Sequence, residues 1–303
     1  MRLRSAVALI LSFFLPACVA ATDSGKQARL LGTYAWEDAA PWFGGFSSID
    51  LLPNGQDFVA TTDRGSLVFG RLDRDGDQIT SVSAQKRFEL VRGKDDPLAG
   101  QRGDAEGITL TKDGGVCVSF EYTHRVGCFA TPDSDPVVYA DIPAFSEPHP
   151  NSVLESLAID PQGRLVVIPE NAPSLDHDFP VFRWQNGTWQ AVFDIPRIGG
   201  FLPVGADFGP DGRLYVLERE FGSIGFRSRV RSWDVSRDRA DAEIVHLETF
   251  YLVHSNLEGL SVWRDDMGRT RLTMISDDNF LDLLRTEIVE YVLPPLAIGA
   301  STH

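Results

Sequence analysis

A glutamate followed by glycine or serine and a short apolar run recurs along the chain. It stands in DAEGITL (104–110), LESLAI (154–159) and NLEGLSV (256–262), with GFSSIDL (45–51) and VGADFGP (204–210) as degenerate copies. Asp104 and Asp207 stand near the same positions. A second set of acids follows a second apolar run in each copy: Asp63, Glu121, Glu170, Glu218 with Glu220, and Asp277 with Asp278. Carboxylates brought together in such numbers repel, so some must be neutralised, and a hard cation does this directly. Calcium takes roughly six to eight oxygens in flexible geometry. No histidine or cysteine cluster stands at zinc-binding spacing. The expected ion is therefore Ca2+, with Asp63, Glu106, Glu121, Glu155, Glu170, Glu258, Asp277 and Asp278 as the candidate ligands. The competing role is structural: a glutamate at the start of a strand can accept backbone N–H bonds from its neighbour, or pair with an arginine such as Arg64, Arg125 or Arg219.

Other chemistry-bearing residues are sparse. Arg64 and Arg125 are the candidates for stabilising developing negative charge. His124 is the candidate acid or base, with His254 a second histidine on the same loops. The serines Ser47, Ser48 and Ser156 have no triad partner in sequence, and no G-x-S-x-G elbow occurs.

The elements that would position these residues repeat as well. Anchors Ile49, Ile108, Leu157, Ala206 and Leu260 are spaced 59, 49, 49 and 54 residues apart. After each anchor comes a turn pair (Asn54-Gly55, Asp113-Gly114, Gln162-Gly163, Asp211-Gly212), and glycine supplies the positive φ of tight hairpins. Runs such as RLVVIP and RLYVLE follow, then a third β-rich run (SLVFGRL, RVGCFA, VFRWQ, RVRSWDV, TEIVEYVL) and in most copies a fourth. A period near 50 in such a sequence predicts propeller blades of four strands. The fifth copy lacks a fourth strand, and ARLLGTYAW (28–36) has no blade of its own. The reading is an all-β propeller of five four-stranded blades, with the N-terminal strand closing the last. Six blades result if the longest spacing hides one; a β-sandwich or β-solenoid is the remaining alternative.

In a propeller the first strands line the central channel. The loops into them, and the loops after the second strands, share one face, which is where the two acid sets fall.

Residues 1–21 have the anatomy of a signal peptide: Arg2 and Arg4, an apolar run from Ala6 to Leu15, then small residues. A lipoprotein anchored through Cys18 is the alternative. Residues 22–303 are read as a single domain, periplasmic or secreted, with no transmembrane segment and monomeric. With 28 basic and 43 acidic residues the net charge is −15, which argues against nucleic acid as a partner. Cys117 and Cys128 sit at mirrored positions about SFEYTHRVG, so an exported hairpin would join them in a disulfide.

Taken in order and spacing, GGFSSIDLLPNGQDFVATTDRG, GDAEGITLTKDGGVCVSFE, LESLAIDPQGRLVVIPE and NLEGLSVWRDDMGRTRLTMISDDNF resemble the phytase-like propeller family, described as "esterase-like activity of phytase". The likeness covers roughly 30–293. It implies an exported propeller acting on a small-molecule phosphate or carboxylic ester. The calcium-dependent β-propeller phytases are a more distant likeness, and few lysines or arginines line the expected mouth. Metal-assisted hydrolysis is the leading expectation; a non-enzymatic binding propeller is the rival, and a lactonase with an apolar pocket above its metal a third reading.

Overall fold

A computed structural model of the chain describes residues 27–90, 104–121, 124–140, 142, 154–171 and 176–295. The expected signal segment and Cys18 lie outside the described residues. Among these residues twenty strands form five four-stranded antiparallel sheets. Blade 1 is β2 (Phe46–Leu51), β3 (Asp57–Thr62), β4 (Ser66–Asp75) and β5 (Gln78–Glu89). Blade 2 is β6 (Ala105–Leu110), β7 (Val116–Phe120), β8 (Arg125–Phe129) and β9 (Val137–Tyr139). Blade 3 is β10 (Ser156–Ile159), β11 (Leu165–Ile168), β12 (Phe179–Gln185) and β13 (Thr188–Ile195). Blade 4 is β14 (Leu202–Phe208), β15 (Leu214–Gly222), β16 (Gly225–Asp234) and β17 (Asp241–Glu248). Blade 5 is β18 (Asn256–Arg264), β19 (Thr270–Asp277) and β20 (Glu287–Val292), completed by β1 (Arg29–Ala35) from the start of the chain.

The five-bladed propeller read from the repeat is the observed fold, and β1 pairs antiparallel with β20 as expected. Among the described residues the long first spacing holds no sixth blade, and the extended β4–β5 hairpin, which turns at Gly76-Asp77, lengthens it. The first strands touch one another in a closed ring, β2–β6–β10–β14–β18–β2. The anchors Ile49, Ile108, Leu157, Ala206 and Leu260 are all buried. Apolar clusters fill the wedge between each pair of neighbouring blades; Val59, Leu67, Val118 and Phe120, for example, join blades 1 and 2.

Two details let the ring close tightly. Gly205 and Gly259 follow the repeated acid position, where adjacent first strands nearly touch. A Cβ on Gly205 would lie 2.5 Å from the Glu258 carbonyl oxygen, and one on Gly259 would lie 2.7 Å from the Ile49 nitrogen. The strands are then cross-bonded by side chains just below. Asp50 accepts from the Leu110 amide (2.8 Å) and from Ser261 Oγ (2.9 Å), and Ser261 Oγ accepts from the Leu51 amide (3.0 Å). Asp207 accepts from the Val262 amide at 2.6 Å. Asp50 and Asp207 thus lock blades to one another through backbone amides. Asp207 serves there and does not reach the mouth.

The Cys117–Cys128 pair is directly opposed on β7 and β8, with Cα atoms 4.0 Å apart, and the sulfurs are bonded.

Asp50→Ala leaves the part-buried Leu110 amide without its acceptor, a loss of about 1 kcal/mol. Urea unfolding is expected to show a lowered midpoint of that size, with Asp50→Asn falling between the variant and the parent.

Candidate metal centre

Strand register defines which residues meet at the mouth. The pairs Ile49–Ala60, Ile108–Val118, Leu157–Val167, Ala206–Val216 and Leu260–Met274 are equivalent across the five blades. Two residues before the first member of each pair stand Ser47, Glu106, Glu155, Val204 and Glu258. Three residues after the second member stand Asp63, Glu121, Glu170, Arg219 and Asp277. In four blades a register shift falls at the first-strand position, between Phe46/Ser48, Ala105/Ile108, Pro203/Gly205 and Leu257/Gly259. Such bulges re-aim a side chain away from the ladder. Blade 4 breaks both acid sets, with Val204 in one and Arg219 in the other.

Arg219 organises one side of the mouth. Its guanidinium donates to Glu258, to Glu170 (3.0 Å) and to Asn256 Oδ1 (2.9 Å), and lies 3.9 Å from Glu155. Asn256 also donates to Glu258 at 2.7 Å. Strand alternation turns its neighbours away. Glu218 is fully buried between Arg229 and Arg231 (2.7 Å to each), and Glu220 is held by Arg227 (2.6 Å) and Tyr251 (3.0 Å). Neither joins the mouth acids.

On the other side acids crowd together. One oxygen each of Asp104, Glu106 and Glu121 lies within 4.8 Å of the others. Ligand oxygens on one calcium ion, each about 2.3–2.6 Å from it, span such distances. Asp104 Oδ1, Asp63 Oδ1 and Glu155 Oε2 are buried with no hydrogen-bond partner. Orphaned carboxylate oxygens beside a cluster of acids are what a hard cation would satisfy, so these residues fit calcium.

The electrostatics record the crowding. Burial, then the charges of Glu155 and Glu258, push Glu106 well above the ordinary glutamate range. Burial and Glu170 do the same to Glu155. Burial raises Glu258 to about 8 against the pull of Arg219. Asp63 rises to about 7 through burial and Asp277, Asp104 to about 7 through burial and Glu121, and Asp277 to about 6 mainly through burial.

The remaining expected residues lie around this centre. Asp278 staples the loop after β19: it accepts from the Gly45 and Phe280 amides (3.0 Å each) and from Thr286 Oγ1 (3.1 Å). Arg64 stacks on Phe280, its guanidinium carbon 3.5 Å from the ring centre. Arg125 lies over Phe120 at 5.1 Å. His124 holds a left-handed φ of 39° beside Glu121, and burial lowers its pKa. His254 is instead buried against the Tyr291 hydroxyl (2.6 Å).

Residues 41–280 match the family profile described as phytase-like, esterase-like activity of phytase. No curated protein sequence matches the chain. Among solved structures it is similar to hydrazine synthase of Kuenenia stuttgartiensis, with 16% identity over 86% of this chain and 66% of that one and a TM-score of 0.46. It is similar to virginiamycin B lyase from Staphylococcus aureus, at 13% identity, 82% and 71% coverage and a TM-score of 0.42. A gluconolactonase of Xanthomonas campestris gives 16% identity, 78% and 68% coverage and a TM-score of 0.43. The chain spans 66% of the length of the hydrazine synthase chain. At these values nothing about chemistry carries over.

The raised carboxylates fix the sign of a pH effect. Their folded pKa values exceed the unfolded ones, so the native chain keeps protons that the unfolded chain has released. Stability falls as pH rises through the folded values. Between pH 6.5 and 8.5 the buried histidines His246 and His254, both lowered to about 4, add little slope. The metal-free melting temperature is expected to fall over that window. Arg219→Gln is expected to steepen the fall, with a loss approaching about 3–5 kcal/mol where the buried acids are ionised without a partner. Melts in chelator at the two pH values measure both.

Proposed function

This chain belongs to the phytase-like family, that of the esterase-like activity of phytase, and on that footing we propose that it is an exported, calcium-binding hydrolase of phosphate or carboxylic esters. The observation that carries the reading is the Asp104–Glu106–Glu121 cluster, with its orphaned Asp104 oxygen, at the mouth of the channel. In this reading those three residues hold the ion. Asp63, Glu155, Glu170, Glu258 and Asp277 shape the field around it, and Asp278 keeps the adjoining loop in place. Calcium, when bound, supplies Lewis acidity toward an ester oxygen and makes water easier to deprotonate.

The chain's own groups do the rest. In this reading Asp63, raised to about 7 and with an oxygen free of hydrogen bonds, accepts the proton. His124, its pKa lowered by burial, is the second proton carrier on this face. Arg64, in the turn after β3, and Arg125, the first residue of β8, offer positive charge to the oxyanion that develops. Export is supported by the leader-like residues 1–21 and by the disulfide.

Calcium at about a hundred times its dissociation constant should add ~2.7 kcal/mol. That is a rise of roughly 5–10 °C for a chain of this size. The expected result is a reversible, saturable rise that is lost in Asp104→Asn/Glu121→Gln, together with calcium-dependent cleavage of p-nitrophenyl phosphate or p-nitrophenyl acetate. Stabilisation without turnover would make this face a binding module; no stabilisation would return the acids to a structural role.

A further inference from the structure

The mouth is bordered on one side by apolar side chains that the fold leaves in water. On the blade 4 side, Phe221 is 72% exposed, Ile224 62%, Phe250 87% and Leu252 69%; on the blade 5 side, Leu281 is 58% and Leu283 95% exposed. All stand at the end of β15, in the turn after it, in the loop into β18, or in the loop after β19. By the propeller's alternating strand direction, these segments share the face that carries the acids. Exposed apolar residues scattered singly need no explanation, but a cluster beside a candidate site does.

The cluster is continuous with the acidic mouth at both ends. On one side the Arg219 guanidinium carbon lies 5.9 Å from the Phe226 ring centre, and Phe226 packs on Phe221 with centres 4.8 Å apart. On the other, Phe280 carries Arg64 and lies against Gly44 and Gly45, next to Asp278 and Asp63. The backbone is held so as to display these groups. Leu252 has a φ of 65° and Phe280 a φ of 50°, left-handed values that bulky residues rarely adopt. The Leu252 amide is tied to the Phe226 carbonyl at 2.9 Å.

Charge narrows what can lie there. Arg219 is engaged by glutamates, and the surrounding acids repel a polyanion. The same field, on a chain of net charge −15, disfavours an anionic lipid surface. A neutral molecule whose apolar end covers the rim, while its polar end reaches the acids, meets both conditions. We propose that the substrate is an uncharged ester bearing an alkyl or aryl group, and that Phe221, Ile224, Phe250, Leu252, Leu281 and Leu283 set this preference. The proposal rests on the hydrolase reading above for the word substrate and on the rim itself for the apolar group.

The test separates the two. N-ethyl-, N-butyl- and N-octylacetamide, neutral isosteres resistant to ester hydrolysis, are titrated calorimetrically into the calcium-loaded protein. The same series is run on Phe221→Ser/Leu252→Ser and on Leu283→Ser. Affinity is expected to rise about two- to fourfold per methylene, fourfold corresponding to full burial. The variants, altered only at exposed side chains, should melt within a few degrees of the parent and lose most of that dependence. No chain-length dependence, or the same dependence in the variants, overturns the proposal. So does binding to neutral phosphatidylcholine vesicles with no response to the amides, which would assign the rim to a bilayer. Cleavage of p-nitrophenyl acetate is measured in parallel. Chain-length-dependent binding without cleavage keeps the apolar-ligand assignment and removes the hydrolase reading; cleavage without chain-length dependence does the reverse.

Discussion

One arginine stands among seven carboxylates at equivalent positions of a five-strand ring, and the rest of the mouth follows from that ratio. Arg219 takes the place that Asp63, Glu121, Glu170 and Asp277 hold in the other blades. Its fork reaches Glu258 and Glu170 and lies near Glu155, so the acids of blades 3 and 5 nearest it share a counter-charge. Blade 2 lies beyond its reach. The repulsion left there raises Glu106 and Asp104, and no described side chain is seen to relieve it. A buried field of one sign is unfavourable for the apo fold at alkaline pH, and the same field attracts a cation. Stability without metal and affinity for metal therefore pull in opposite directions with pH, from one set of residues.

The architecture was legible because its signals are local and repeated. Five anchors at near-constant spacing, glycine at each hairpin turn, and a strand at each end lacking a partner sheet together specify the closed ring. The facing of individual acids was less legible. Glu218 and Glu220 flank the position that matters, and side chains alternate along a strand, so a one-residue difference sends them out of the mouth. Counting three residues from Val216, as from Val118 to Glu121, lands on Arg219 and was available in the sequence. Bulges in the first strands obscure such counting, because each inserts a residue whose direction composition does not reveal.

The division between functional and locking acids was also hidden. Asp50 and Asp207 look like degenerate members of the acid repeat, yet each binds a backbone amide of another blade. Asp278 looks like a twin of Asp277 and instead holds the loop that carries Phe280. In each case the carboxylate is held in place by the backbone amides it serves. Asp63, Asp104 and Glu155 instead each keep a buried oxygen with no hydrogen-bond partner. These hydrogen bonds depend on tertiary contact, and they separate the two groups where residue type cannot.

The scaffold has to carry this unfavourable mouth, and it does so one layer below. Channel-lining hydrogen bonds tie blade 1 to blades 2 and 5 and blade 4 to blade 5, and apolar clusters fill every wedge between blades. Closure by β1 covers the edge of β20, so the ring has no seam at which mutual repulsion of the acids could open it. Five strands around a narrow axis bring side chains from opposite blades into one electrostatic unit, as the push of Glu258 on Glu106 shows. The small blade number is thus itself part of the site. It compresses acids from four blades and an arginine from the fifth into one mouth, where every change of protonation or ligation at one is felt by the others.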